Sequence, residues 1–338
     1  VPAFNKATWT EAGGTTALWE VPVTLADGVQ GEAVQTVYIA AEDKVGNVSV
    51  LGKRVLNVDT AIPVISITAI EAESGKTILP TGNGTYISSG DFNIKVSATD
   101  ANLVSVTSND EPAVKVPGEA DVYKVSGSES GSYILKATDK AGKTAEQRID
   151  VTVDRTAPSA SIVSLANDET WLNSTDAFKV TGSSDDGTGV GVEKVYYKVI
   201  NKGNPVPSEF LETDGWTEAG GTTALWEVEV DPETEGEGVK TLCIAAVDRV
   251  KNVSPIVKRA INVDLSDPEV TIANDETSYD AGTSKVVISN GTYLSSGAFT
   301  LKVNASDTNL DKVVCVNTAA SNASVAVTDA GSGVYKIN

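Results

Sequence analysis

The sequence predicts an all-β protein: tandem seven-strand, two-sheet sandwiches arranged as an extended rod. Three observations carry that expectation. The string WTEAGGTTALWEV occupies Trp9 to Val21 and returns letter for letter at Trp216 to Val228, 207 positions later. Short segments alternate apolar and polar residues between closely spaced turn signals, which is the period of half-buried strands. No stretch sustains a 3.6-residue apolar period, so helices are expected to be minor.

The repeats set the organisation. Asn83 to Tyr86 (NGTY) recurs at Asn290 to Tyr293 with the same offset, and self-similarity at a fixed spacing marks an array of modules. A finer period lies inside it. The pattern V-D-x-x-x-P occurs at Val58-Asp59 to Pro63, Val153-Asp154 to Pro158 and Val263-Asp264 to Pro268, at intervals of 95 and 110 residues. Each interval is the size of one small domain. Fifteen or sixteen residues before each of these aspartates stands a turn string: Asp43 to Asn47 (DKVGN), Asp139 to Lys143 (DKAGK) and Asp248 to Asn252 (DRVKN). Two module types therefore alternate. Residues 1–61 read as the C-terminal part of a type A module, 62–156 as a type B module, 157–266 as type A, and 267–338 as the N-terminal part of type B. The incomplete ends are expected of a window from a longer polypeptide.

Within 62–156 seven strands are expected. They are Val64–Ile70 (with Ile65, Ile67 and Ala69 on one side), Phe92–Ala98, Leu103–Thr107, Ala113–Val116, Val122–Ser126, Tyr133–Thr138 and Thr144–Val153. Turn signals at Gly75, Pro80 to Gly82, Asn109-Asp110, Pro117-Gly118, Gly131 and Asp139 to Gly142 separate them. Seven alternating strands in about 95 residues indicate an immunoglobulin-type sandwich. Type A differs by an excursion after its third strand, running from Asn201 through Phe210 to Trp216. Trp226 falls on a strand and is expected in the core. Phe210 and Trp216 either seal the core beneath the loop or offer an exposed ligand contact, and loop packing is the favoured expectation.

Composition excludes several functions. The chain has 338 residues, 26 basic against 46 acidic, a net charge of −20, no His and no Met. Such a surface repels phosphate backbones, so no nucleic-acid partner is expected. It keeps a protein soluble and attracts cations. No apolar run approaches a membrane span, so no membrane insertion is expected of this segment. The missing His removes the commonest general base and transition-metal ligand. Cys243 and Cys315 fall in different modules and are expected as free thiols. Alternation places Leu242, Ile244 and Ala246 on one face and Cys243 on the other. If the first face is the core, Cys243 points outward and could link to another chain, while a tolerated small side chain is the favoured expectation.

These motifs carry a resemblance. The A-x-D-x-x-G-N turn, the V-D-x-x-x-P linker, and Asp186 to Val190 leading into the Tyr196-Tyr197 strand resemble the bacterial Ig-like tandem repeats of large exported surface proteins. Lys143 and Lys251 depart from the turn pattern. The resemblance spans the chain and implies an extracellular or cell-surface location. Such modules serve as stalks, S-layer building blocks, adhesin shafts and enzyme spacers.

One constellation bears chemistry. In an immunoglobulin-type sandwich the leading linker and the ends of the second and sixth strands meet at one end. That map groups Asp59, Asp100 and Asp139; then Asp154, Asp185 or Asp186, and Asp248; then Asp264 and Asp307. Carboxylates so grouped are candidate ligands for Ca²⁺, which takes six to eight oxygens. The competing reading makes each aspartate a turn cap with no metal. No other cofactor is implied. Seven N-x-S/T sequons (Asn47, Asn83, Asn173, Asn252, Asn290, Asn304, Asn322) invite a glycoprotein reading, and chance alone supplies several at this Ser and Thr content.

No nucleophile elbow, zinc motif, P-loop or dinucleotide motif is present. The expected function is a structural, non-catalytic region: stalk, S-layer or filament material whose partners are copies of itself, other surface proteins or the cell envelope. The rivals are an adhesin region binding through residues 201–216, and the accessory spacer of a secreted enzyme.

Overall fold

The computed structural model describes residues 2–15, 18–23, 32–165, 171–317, 323–324 and 326–337, so the sequon at Asn322 lies outside the described residues. The chain divides into two compact units: residues 1–156 with 187–191 and 248–252, and residues 157–186, 192–247 and 253–338. The described residues are all-β apart from one helical turn, Pro232–Glu235, and a short 3₁₀ segment, Glu276–Ser278. No helix among them is long and apolar enough to cross a membrane.

In the first unit, residues 64–153 form an immunoglobulin-like sandwich. One sheet runs Val114–Lys115, Val122–Gly127, Phe92–Thr99, Val64–Ala72. The other runs Glu111–Pro112, Leu103–Ser108, Gly131–Asp139, Thr144–Val153, Thr85–Ser88, Ile78–Gly82. Alternation decides which side chains face inward: Phe92, Ile94, Val96 and Ala98 are fully buried against Leu135, Ala137, Ile149 and Val151. The ring of Phe92 meets Tyr133 edge-on at 5.3 Å between centroids. With no cystine in the chain, these interdigitated inner faces hold the two sheets together.

Two expectations need correction. A bulge between Ile67 and Ala69 shifts the phase of the first strand, so Ile70 also packs against the core. The supposed turn at Pro80 to Gly82 is part of a strand, Ile78–Gly82, at the edge of the sheet. Proline is admitted there because an edge position can spare its N–H. The next strand, Thr85–Ser88, runs parallel to Thr144–Val153.

The same unit holds two hairpins in residues 1–61. Gly13–Gly14 pairs with Trp19–Glu20, and Glu32–Ile39 pairs with Gly52–Asp59. The turn after the latter strand pair's first member is closed by Asp43, which accepts from the Asn47 backbone at 2.8 Å and the Asn47 side chain at 2.7 Å.

The second unit contains the type A sandwich. Ser159–Ile162, Phe178–Asp185, Leu225–Val230 and Gly220–Gly221 form one sheet. Trp171–Leu172, Val257–Val263, Gly238–Asp248, Val192–Asn201 and Thr217–Glu218 form the other. Trp226 lies in the core as expected, over Gly182. A Cβ on Gly182 would stand 2.1 Å from the Trp226 ring and 2.0 Å from the Ser161 carbonyl, so only glycine fits.

Cys243 is fully buried, which corrects the outward-facing expectation. Its parity is as read, but the far face is covered by a second core of Tyr196, Ile200, Trp216, Ala245 and Val247 with Phe210 at its margin. Trp216 is 8 % exposed and meets Phe210 edge-on at 5.2 Å, so it serves as a lid and offers no free ring face. Tyr196 donates to Glu212 at 2.8 Å, and burial together with that contact pushes its pKa up to about 12. Further along, Glu269–Thr271, Thr300–Ser306, Val334–Ile337 and Val327–Asp329 form a sheet beside the hairpin Val286–Ser289 and Thr292–Ser295.

Candidate metal centre

Three strand ends deliver Asp59, Asp100 and Asp139 to one end of the 64–153 sandwich. Asp59 closes the strand Gly52–Asp59, Asp100 follows Phe92–Thr99, and Asp139 closes Gly131–Asp139. One carboxylate oxygen from each lies within 4.8 Å of the others. Local chemistry holds each in place. Asp59 Oδ1 accepts from Ala61 N at 3.0 Å, Asp100 Oδ1 from Asn102 N at 2.7 Å, and Asp139 Oδ1 from Lys143 N at 2.8 Å. The first two are Asx turns and the third closes a longer loop from Asp139 to Lys143, each a backbone cap as the capping reading expects.

Capping does not use every oxygen. Asp139 is 3 % exposed, and its Oδ2 is buried with no hydrogen-bond partner among the described residues. A buried carboxylate oxygen without a donor is costly, so this atom calls for a cation or a proton. The donor set is all oxygen and anionic, which fits a hard divalent ion such as Ca²⁺ and not a soft one. Asn102 completes the arrangement by donating from Nδ2 to Asp59 Oδ2 at 3.1 Å.

Asp154 and Asp248 form a second pair, with carboxylate oxygens within 4.8 Å of each other. Here the capping is fuller. Asp154 accepts from Thr156 N at 3.0 Å, Thr156 Oγ1 at 2.6 Å and Val190 N at 2.8 Å. Asp248 accepts from Val250 N and Asn252 N, each at 2.8 Å, and from Asn252 Nδ2 at 2.7 Å. Burial works to raise the Asp154 pKa, but the hydrogen bonds from Thr156 and Val190 outweigh it and leave it lowered. For Asp248 burial prevails over the bonds from Asn252 and Val250, the nearby Asp154 charge adds to it, and the pKa is raised. Asp185 stands exposed at the end of Phe178–Asp185, and Asp186 follows it, partly buried.

The third set repeats the first. Asp264 Oδ2 accepts from Asn309 Nδ2 at 2.7 Å, and Asp307 Oδ1 accepts from Asn309 N at 2.7 Å. The Asn309 bond, then that of Ser266, lowers the Asp264 pKa. Asn102 and Asn309 were not singled out in the sequence. The signal was present as D-x-N, at Asp100 to Asn102 and again at Asp307 to Asn309.

No protein-family model matches the chain, and no curated protein matches it. Among solved structures, it is similar to fibronectin(III)-like modules of Clostridium thermocellum CbhA at 17 % identity and TM-score 0.33, over 60 % of this chain and 95 % of that one. It is similar to the Escherichia coli adhesin FdeC at 14 % identity and TM-score 0.29, over 80 % and 89 %. The Yersinia pseudotuberculosis adhesin InvE matches at 13 % identity and TM-score 0.26, over 62 % and 66 %. At these scores the likeness decides nothing about function, and the sandwich architecture stands on its own sheet order.

Proposed function

We propose that this chain is a structural, non-catalytic repeat region of a long bacterial extracellular or cell-surface protein, in which calcium ties each linker to the sandwich that follows it. The observation that carries this reading is the meeting of Asp59, from the linker side, with Asp100 and Asp139 of the 64–153 sandwich, where Asp139 Oδ2 has no donor. A cation bridging the three would join Asp59 to two strand ends of the following sandwich. It would neutralise a cluster that capping alone leaves repulsive. The net charge of −20 favours cation uptake, and the repeated linker pattern places comparable aspartates at Asp154 and Asp264. The spacing role follows from repetition: arrays of this kind supply reach and valency.

The test is calcium titration of the full chain by calorimetry, with hydrogen exchange and small-angle scattering in calcium and then in chelator. Heat of binding, slowed exchange around Asp59 to Pro63 and a changed scattering profile support the reading. Three unchanged measurements would make the aspartates turn caps.

A further inference from the structure

Three turns of one pattern share a backbone and differ in one donor. In Asp43–Asn47, Asp139–Lys143 and Asp248–Asn252 the N–H of the leading aspartate donates to the carbonyl of the fifth residue at 3.0, 3.1 and 3.0 Å. The N–H of that fifth residue returns to the aspartate Oδ1 at 2.8 Å in all three. The fourth residue is left-handed each time, with φ 92° at Gly46, 81° at Gly142 and 71° at Lys251. The fifth Cα therefore stands in the same place relative to the carboxylate, and only the side chain it carries differs.

That side chain decides the fate of the second carboxylate oxygen. Asn47 and Asn252 each donate from Nδ2 to the Oδ2 of their own aspartate at 2.7 Å. Asn252 also donates to the Asp154 carbonyl at 3.1 Å, so its amide already joins the linker to the turn. Lys143 stands exposed, and Asp139 Oδ2 is left without a donor among the described residues. The open oxygen thus comes from one letter, Lys in place of Asn, and not from a different turn.

Taking calcium at Asp59, Asp100 and Asp139 as the premise, we propose that the fifth residue of this turn sets how tightly each aspartate cluster holds its cation. An asparagine engages the second oxygen with its own amide, and a cation must first displace that charge-assisted hydrogen bond. A lysine leaves the oxygen open as a direct ligand. Asp59, Asp100 and Asp139 then form the tighter site, and Asp154 with Asp248 the weaker one. Lys143 acts by withholding a donor. Its positive charge works against cation uptake, so the two effects can be separated by substitution.

The test titrates calcium chloride into the full chain, with calorimetry for total binding and hydrogen exchange read separately at residues 139–143 and 248–252. In the wild type, protection at 139–143 is expected at the lower calcium concentration. Lys143→Asn should raise that midpoint by roughly 10-fold, the weight of a hydrogen bond to a charged group. Lys143→Ala removes the charge and supplies no donor, so its midpoint should stay or fall. Asn252→Ala should lower the midpoint at 248–252 by a similar factor, a gain that impaired folding cannot produce. Equal midpoints in Lys143→Asn and Lys143→Ala, or no fall in Asn252→Ala, overturn the role of the fifth residue while leaving calcium binding in place. No heat from the wild type overturns it together with its premise.

Discussion

Replacing Asp139 by Asn separates a metal ligand from a turn cap, because the two roles give opposite signs in chelator and in calcium. The three carboxylate oxygens lie within 4.8 Å, which at an effective dielectric of 20 is about 3.5 kcal/mol of repulsion per pair. Asp139 takes part in two such pairs. Asp59 and Asp100 are half-buried, so solvent screens much of this, and a gain of about 1–2 kcal/mol is the realistic expectation for removing the charge. The substituted amide would keep an Oδ1 to accept from Lys143 N and would turn its N–H donors toward the remaining carboxylates. In chelator the Asp139→Asn chain is therefore expected to be the more stable. Calcium reverses the order. Wild type gains about 2.7 kcal/mol at a calcium concentration 100 times its Kd, and the variant, with one anionic ligand fewer, gains less. No tryptophan lies within 62–156, so tryptophan fluorescence does not report on that sandwich. Hydrogen exchange of residues 98–103 and 139–143 in the full chain reports the effect instead. Wild type more protected than Asp139→Asn in both conditions would refute the reasoning and leave Asp139 a cap.

Gly182→Ala should destabilise the 159–263 sandwich by about 1–3 kcal/mol or more, since its Cβ would stand 2.0 Å from a backbone oxygen; an unshifted tryptophan-detected melt would contradict this. Cys243, fully buried with its thiol pKa pushed up by that burial, should resist a thiol reagent until unfolding, whereas half-buried Cys315 reacts in the native chain. The Asn47 hydrogen bonds hold the Asp43 carboxyl below its usual 3.8. The stability it contributes is therefore complete above the unfolded value and lost as pH falls through the lowered one. Asn47→Ala should move the Asp43 titration upward by NMR. Tyr196, raised to about 12, should ionise after ordinary tyrosines in an alkaline absorbance titration, and Glu212→Gln should bring it down.

The inner faces were legible because alternation is a local property: Phe92, Ile94, Val96 and Ala98 can be read directly off the letters, whereas the order of strands in each sheet depends on pairings between distant segments. Pro80 and Gly82 misled, since in sequence they look like a turn, and only their place at a sheet edge makes a strand tolerable. Cys243 shows a different limit. Parity gave its side of the strand, but whether that side meets water depends on Trp216 and Phe210 folding back from an excursion of some fifteen residues. The aspartate grouping could be anticipated because strand ends of a sandwich converge by topology. The orphaned Asp139 Oδ2 and the Asn102 bridge could not, because they depend on side-chain geometry at the ångström scale.

The parallel ladder between Thr85–Ser88 and Thr144–Val153 bears on how the 64–153 sandwich would meet tension. Val64 opposes Thr99 at one end of its sheet, while Val153 opposes Ser88 at the other end of the sandwich, beside the turn into Phe92. Traction applied at residues 63 and 154 therefore draws Val64–Ala72 backward along its own axis and Thr144–Val153 forward along its own. Both ladders are loaded in shear. Their hydrogen bonds must yield together and cannot be peeled off one by one from an end. The aspartates lie at the end where Val64 enters, so a cation there would carry load into the sandwich before the first rung is strained.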